Sequence, residues 1–160
     1  MKKNLKLVEF NETFLDLSFV WLNDPIIIES IDGAAISKET QLSWYKTLSQ
    51  RKDYCVWGLE CENTPIGVVG LRHITEKSAE FFCYIGEKTY WGGCGTPIML
   101  LAEEKARKLN LSYIWLRVLK KNIRAKKVYD RMLYKKYKDD NKFYYMEKEI
   151  NINSLYLFCP

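Results

Sequence analysis

The residues Trp91-Gly92-Gly93-Cys94-Gly95-Thr96 place three glycines between a strand-like run, Ala79–Ile85, and a segment of helical periodicity. Glycine tolerates positive φ and lets another group approach the backbone closely. Pro97 suits the first turn of a helix, where a missing N–H costs nothing. The remaining free N–H groups and the positive end of the helix dipole then face the loop, so a pyrophosphate can be held there without a basic side chain. A Walker loop ends in Gly-Lys-Ser/Thr and a Rossmann fingerprint spaces its glycines more widely, and this chain has neither pattern. Taken without its flanks, the cluster also reads as a plain tight turn.

The flanks give it context. Leu5–Phe10 reads as a strand, and Asn11–Trp21 as a helix on Phe14, Leu17 and Trp21, stopped by Asn23-Asp24-Pro25. Ser37 is an N-cap for a helix carrying Leu42, Tyr45 and Leu48. Strands follow at Tyr54–Cys61, Ile66–Ile74 and Ala79–Ile85, separated by turn-forming residues, as an antiparallel meander. After the glycines, Ile98, Leu101, Ala102 and Leu109 mark a helix that Asn110 closes, and Tyr113–Leu119 returns to a strand. Ala125, Val128, Tyr129 and Met132 share one face of a short helix, Ile123–Leu133. Tyr134–Lys138 and Phe143–Ile150 form a closing hairpin. The apolar run Leu155–Phe158 in the tail 151–160 calls for a partner surface, and a homodimer follows if that surface belongs to a second protomer.

The 160 residues fit one domain, and no apolar run reaches the about 18 to 20 residues of a membrane span, so the cytoplasm is the expected location. The five cysteines lack zinc-ribbon spacing or nearby histidines, so reduced thiols and no metal are expected. A net charge of +5, concentrated from Lys120 to Lys138, favours polyanions only mildly. A basic nucleic-acid-binding module is the non-enzymatic alternative, and no recognition motif supports it.

The loop resembles that of the GNAT acetyltransferases, whose coenzyme A motif is Gln/Arg-x-x-Gly-x-Gly/Ala. Gly93-Cys94-Gly95 matches it, and Tyr90 departs from it at the first position. Asn122-Ile123-Arg124-Ala125-Lys126-Lys127-Val128-Tyr129 is similar to the family's Asn-x-x-Ala-x-x-x-Tyr segment, while Leu133 stands where the family has glycine. The resemblance implies one α/β (α+β) domain over residues 1–150, with a mixed, mostly antiparallel sheet of about seven strands flanked by four helices. It implies acetyl-CoA as co-substrate, held by Trp91, Gly92, Gly93, Cys94, Gly95 and Thr96, with Asn122, Ala125 and Lys127 along the pantetheine and phosphates. Backbone N–H groups at Tyr84-Ile85 are expected to hold the thioester carbonyl, and Tyr129 to act as general acid for the leaving thiolate. Read without the family, Tyr129 is a packed core tyrosine before it is a catalyst.

An ammonium acceptor must lose a proton before it attacks, and Glu80 and His73 are the two candidate bases. Asn23, Asp24 and Trp44 lie in segments similar to two branches of the family. One branch acetylates protein N-termini, and the other acetylates nucleotide-linked amino sugars. The aromatic residues and the positive charge favour the amino sugar, with a small amine or a peptide N-terminus as the other acceptor partners.

Overall fold

A computed structural model of the chain describes residues 3–150; the tail 151–160, and with it the expected partner contact of Leu155–Phe158, lies outside the described residues. The elements run β1 (Leu5–Glu9), α1 (Glu12–Trp21), α2 (Pro25–Ile31), α3 (Lys38–Thr47), β2 (Tyr54–Cys61), β3 (Thr64–Arg72), β4 (Ser78–Ile85), α4 (Gly95–Lys108), β5 (Tyr113–Leu119), α5 (Ile123–Arg131), β6 (Lys135–Asp139) and β7 (Phe143–Glu149). Seven strands form one sheet in the order β1-β2-β3-β4-β5-β7-β6. All neighbours are antiparallel except β4 and β5. Among the described residues there are five α-helices where the sequence pattern gives four. The additional one is α2. Asp24 accepts from Ile26 N–H as an N-cap and Pro25 occupies the first turn, so Asp-Pro starts a helix here instead of only ending one.

Two cores lie on opposite faces of the sheet. On one face, Ile98, Met99, Ala102 and Ala106 of α4 pack on Leu59, Leu71, Ile114 and Leu116. On the other, Phe14 and Trp21 of α1 join Ile27 and Val68, with Phe82 and Tyr84 of β4 against them. A Cβ on Gly58 would stand 2.3 Å from the Phe14 ring, so glycine there lets α1 settle on β2. No described helix is long and apolar enough to cross a membrane.

The feature that makes room for a ligand is a partial pairing. β4 pairs with β3 from Glu80 to Ile85, but with β5 only at Ser78, Ala79 and Glu80. Beyond Glu80 the two parallel strands part, while β5 stays paired with β7 on its other edge from Tyr113 to Leu119. Gly86 N–H bonds to Ile66 O at 2.8 Å. By the alternation of an antiparallel ladder, Tyr84 and Phe82 also turn their amides to β3, and Cys83 and Ile85 turn theirs to the open edge.

Helix α5 closes the far side of the opening, and its exit is strained. Leu133 N–H bonds to Asp130 O and Tyr134 N–H to Tyr129 O, both at 3.0 Å, which is a Schellman ending with Leu133 at φ +67°. Leu133 is 71% exposed, so it gains little burial to offset a left-handed conformation that costs a non-glycine residue about 1 kcal/mol. Leu133→Gly is expected to raise unfolding stability by up to about 1 kcal/mol in urea titration; a loss of stability would contradict this account of the turn.

Candidate active site

Two cavities meet in the gap between β4 and β5. One, of about 510 Å³, lies towards the α4 and α5 side and is lined by Trp91, Gly92, Gly93, Cys94 and Gly95. The other, of about 540 Å³, lies towards the α1 and α3 side and is lined by Gln41, Trp44, Tyr54, Arg72, Glu80 and Arg117. Phe81, Cys83, Tyr84, Asn122, Ala125 and Tyr129 line both, and so mark where the cavities join.

The glycine loop presents free backbone donors. Among the described residues, no protein group accepts from the backbone amides of Gly92, Gly93, Cys94, Gly95 or Thr96. No side chain caps α4, and Pro97 has no amide to satisfy. Gly92 and Gly93 sit at φ +102° and +76°, with nothing within 4 Å of where a Cβ would stand. They are there for conformation and leave a cradle open to a ligand. Gly95 has a different reason: its Cβ would lie 2.7 Å from Val128 Cγ2, so its smallness brings α4 and α5 together. Lys3 Nζ donates to the carbonyls of Tyr90 (3.3 Å) and Gly92 (2.9 Å), a tie across 89 positions of chain with no local sequence signal. Trp91 Nε1 donates to Ile85 O (2.8 Å), anchoring the loop to the end of β4. These groups fit a pyrophosphate, with Lys121 and Arg124 on the same cavity's rim.

Asn122 and Tyr129 fall where the spacing on α5 puts them. The Asn122 side chain accepts from Ala125 N–H (3.1 Å) as the helix N-cap. The Tyr129 ring packs edge-on to Phe81 (6.4 Å) and against Tyr134 (6.2 Å), and its hydroxyl bonds to no described residue. Burial raises its pKa well above the ordinary phenol value, so it stays protonated near neutral pH. Cys83, beside it, is raised by burial to about 12. A thiol so raised is a poor nucleophile at neutral pH.

Other expected residues stand elsewhere. Tyr84 brings its ring to the cavities, while its amide faces β3; the amides on the open edge belong to Cys83 and Ile85. Thr96 turns its hydroxyl to Arg131 (3.5 Å), and neither Thr96 nor Lys127 lines a cavity. Asn23 donates to Phe19 O and accepts from Ile36 N–H, Asp24 caps α2 and pairs with Lys88, and both are outside the cavities. Of the acceptor-side expectations, Trp44 alone lines the cavity.

His73 follows β3 at φ +51°, 64% exposed, stacked on Trp115 and 3.4 Å from Glu80; it lines neither cavity. Glu80 does line one, but its side chain is only 3% exposed and both oxygens are engaged. Arg72 makes a two-point contact at 2.9 Å and Arg117 a third at 3.1 Å. Burial alone would raise the Glu80 pKa, but the hydrogen bonds and charges of Arg72 and then Arg117 outweigh it, and the net shift is downward. Such a carboxylate positions guanidinium groups and is a weak proton acceptor. No group of three or more His, Cys, Asp or Glu side chains is arranged for a metal among the described residues.

The sequence reading missed Arg72, Arg117, Tyr54, Ser18 and Gln41. The pairing of Arg72 with Glu80 across adjacent strands was open to alternation arguments once the hairpin was drawn. The others come together only through tertiary packing.

Residues 4–133 match the family described as Acetyltransferase (GNAT) domain. Acetyltransferase PseH of Campylobacter jejuni strain 81-176 is 28% identical over 147 residues, which is 91% of this chain and 92% of the relative. The crystal structure of C. jejuni N-acetyltransferase PseH in complex with acetyl coenzyme A is 26% identical with a TM-score of 0.72, covering 92% of this chain and all of that one. Spermidine N-acetyltransferase from Vibrio cholerae, in complex with CoA and spermine, shares the fold at a TM-score of 0.81 and 19% identity, over 91% of this chain and 95% of that one. With its divided β4–β5 pair and uncapped glycine loop, the chain belongs to the GNAT acetyltransferase family and is an acetyl-CoA-dependent N-acetyltransferase.

Proposed function

We propose that the acceptor is a nucleotide-linked amino sugar that enters from the α1 and α3 side and meets acetyl-CoA where the two cavities join. The observation that carries this reading is the pair Arg72 and Arg117 on the acceptor-side wall. Two guanidinium groups share the single Glu80 carboxylate, leaving a positive excess, and they remain 30% and 40% exposed. Guanidinium groups match phosphate oxygens in geometry and charge. Trp44, Tyr54, Phe82 and Phe143 supply flat apolar walls in the same cavity, suited to a base. The likeness to the PseH acetyltransferases over nine-tenths of the chain points the same way.

In this reading the acceptor nitrogen attacks the thioester carbonyl directly, and the carbon–sulfur bond breaks. The amides of Cys83 and Ile85 on the open edge of β4 donate to the carbonyl oxygen as it gains charge. Tyr129 gives its hydroxyl proton to the departing sulfur and regains one from solvent, while the nitrogen releases its own proton to water. The neutral Cys83 thiol argues against an acetyl-enzyme intermediate. Glu80, already ionised throughout the neutral range, acts through the arginines it holds.

The direct test is CoA-thiol release with UDP-glucosamine and its positional amine isomers, spermidine, and a short peptide with a free N-terminus. The highest kcat/KM is expected for a UDP-linked amine, and a peptide or spermidine as best acceptor would overturn the reading. In the same assay Tyr129→Phe is expected to lose about 100-fold in kcat, at the low end of acid–base effects because a thiolate is already a fair leaving group. Its acetyl-CoA affinity should be little changed, and wild-type turnover with chemistry rate-limiting would remove Tyr129 from the acid role. Gly93→Val puts a β-branched residue at φ +76° in the cradle and is expected to weaken acetyl-CoA binding about tenfold or more, read as a smaller acetyl-CoA-induced rise in Tm. An undiminished rise would take the loop out of the site.

A further inference from the structure

The acceptor-side cavity contains a polar side chain whose hydrogen bonding is half complete. Gln41 of α3 is 6% exposed and lines that cavity. Its Nε2 donates to Leu15 O (3.0 Å) and to Ser18 Oγ (2.6 Å). Leu15 O can only accept, so this contact fixes which end of the amide is nitrogen. Ser18 Oγ spends its own proton on the same carbonyl (2.9 Å), so it too accepts from Gln41. The Gln41 orientation is therefore determined from two sides. Its Oε1 accepts from no described residue, and it is not sealed in protein, since Arg107 Nε is the one described side-chain atom that is both enclosed and unpartnered.

Tying α1 to α3 does not account for that oxygen. The nitrogen makes both ties, and the oxygen, which is not sealed in protein, is left for water or a ligand to complete. A ligand that displaces such a water must bring its own donor or lose affinity. Ser18, the neighbour of Gln41, lines this cavity together with Tyr84. Tyr84 lines both cavities, so the wall that carries Gln41 and Ser18 extends to where the two meet.

We propose that Gln41 is a specificity-determining residue whose Oε1 receives an N–H or O–H of the acceptor close to the amine that is acetylated. This rests on the assignment of the α1 and α3 side cavity to the acceptor. An acceptor carrying a second donor beside its amine is favoured over one that has only an alkyl chain there. The contact is neutral, so it selects for a donor without selecting for charge.

The test compares two acceptors in wild-type protein and in Gln41→Met, which keeps the length and removes the oxygen together with the nitrogen's ties to α1. One is the acceptor of the preceding panel with the highest kcat/KM, and the other is n-butylamine, which has no second donor. The ratio of the two kcat/KM values is expected to fall about tenfold or more in Gln41→Met, mainly through KM of the panel acceptor. An unchanged ratio, including one in which both activities fall together, would overturn the proposal and leave Gln41 as a tie between helices. If Gln41→Met does not fold, Ser18→Ala loosens the same amide and should lower the ratio to a smaller extent; no change there would also overturn it. Because the panel acceptor is chosen by activity, failure of the amino-sugar reading and failure of the Gln41 proposal give different results.

Discussion

The divergence of β4 from β5 after three paired positions is the constraint on which the rest of the site depends. Full pairing would satisfy the amides of Cys83 and Ile85 and close the space between the cavities. Partial pairing leaves an edge of unmet backbone donors inside a folded domain, which is costly unless a ligand supplies acceptors. Two separate apolar cores hold the strands in this arrangement, with α4 on one face and α1 with α3 on the other. The opening therefore follows from how the helices and the antiparallel neighbours divide the sheet.

Electrostatics around the opening separates roles that residue types alone leave mixed. Tyr129 and Cys83 are both raised by burial, which keeps one a proton donor and the other inert. Burial pushes Glu80 upward as well, but Arg72 and Arg117 outweigh it and hold the carboxylate ionised. A carboxylate on the strand that leads into the cofactor loop invites a catalytic-base reading. Its partners make it instead the support that holds two guanidinium groups at the cavity wall.

The strand, glycine loop and helix were legible in the sequence because their physics is local: glycines, a first-turn proline and a following helix lie within a dozen positions. Asn122 and Tyr129 were legible for the same reason, their spacing placing them along one helix. The seven strand segments were legible from period and turn signals, and their joining in one mixed sheet from the family resemblance. Asp24-Pro25 was read only as a stop because helix starts and stops share these residues, and the short α2 has too few positions for a period to show. His73 was placed within a strand that ends one residue earlier, at Arg72. The wall of the cavity on the α1 and α3 side was not legible: Ser18 and Gln41 meet across 23 positions, and Arg117 reaches Glu80 across 37, with no pattern linking them.

A crystal structure of the protein with acetyl-CoA bound tests the central claim most directly. The account predicts pantetheine running between β4 and β5, pyrophosphate oxygens on the amides of Gly93 to Thr96, the acetyl oxygen on the amide of Cys83 or Ile85, and the Tyr129 hydroxyl within hydrogen-bond reach of the sulfur. Acetyl-CoA seated outside the β4–β5 opening, or a sulfur remote from Tyr129, would contradict it.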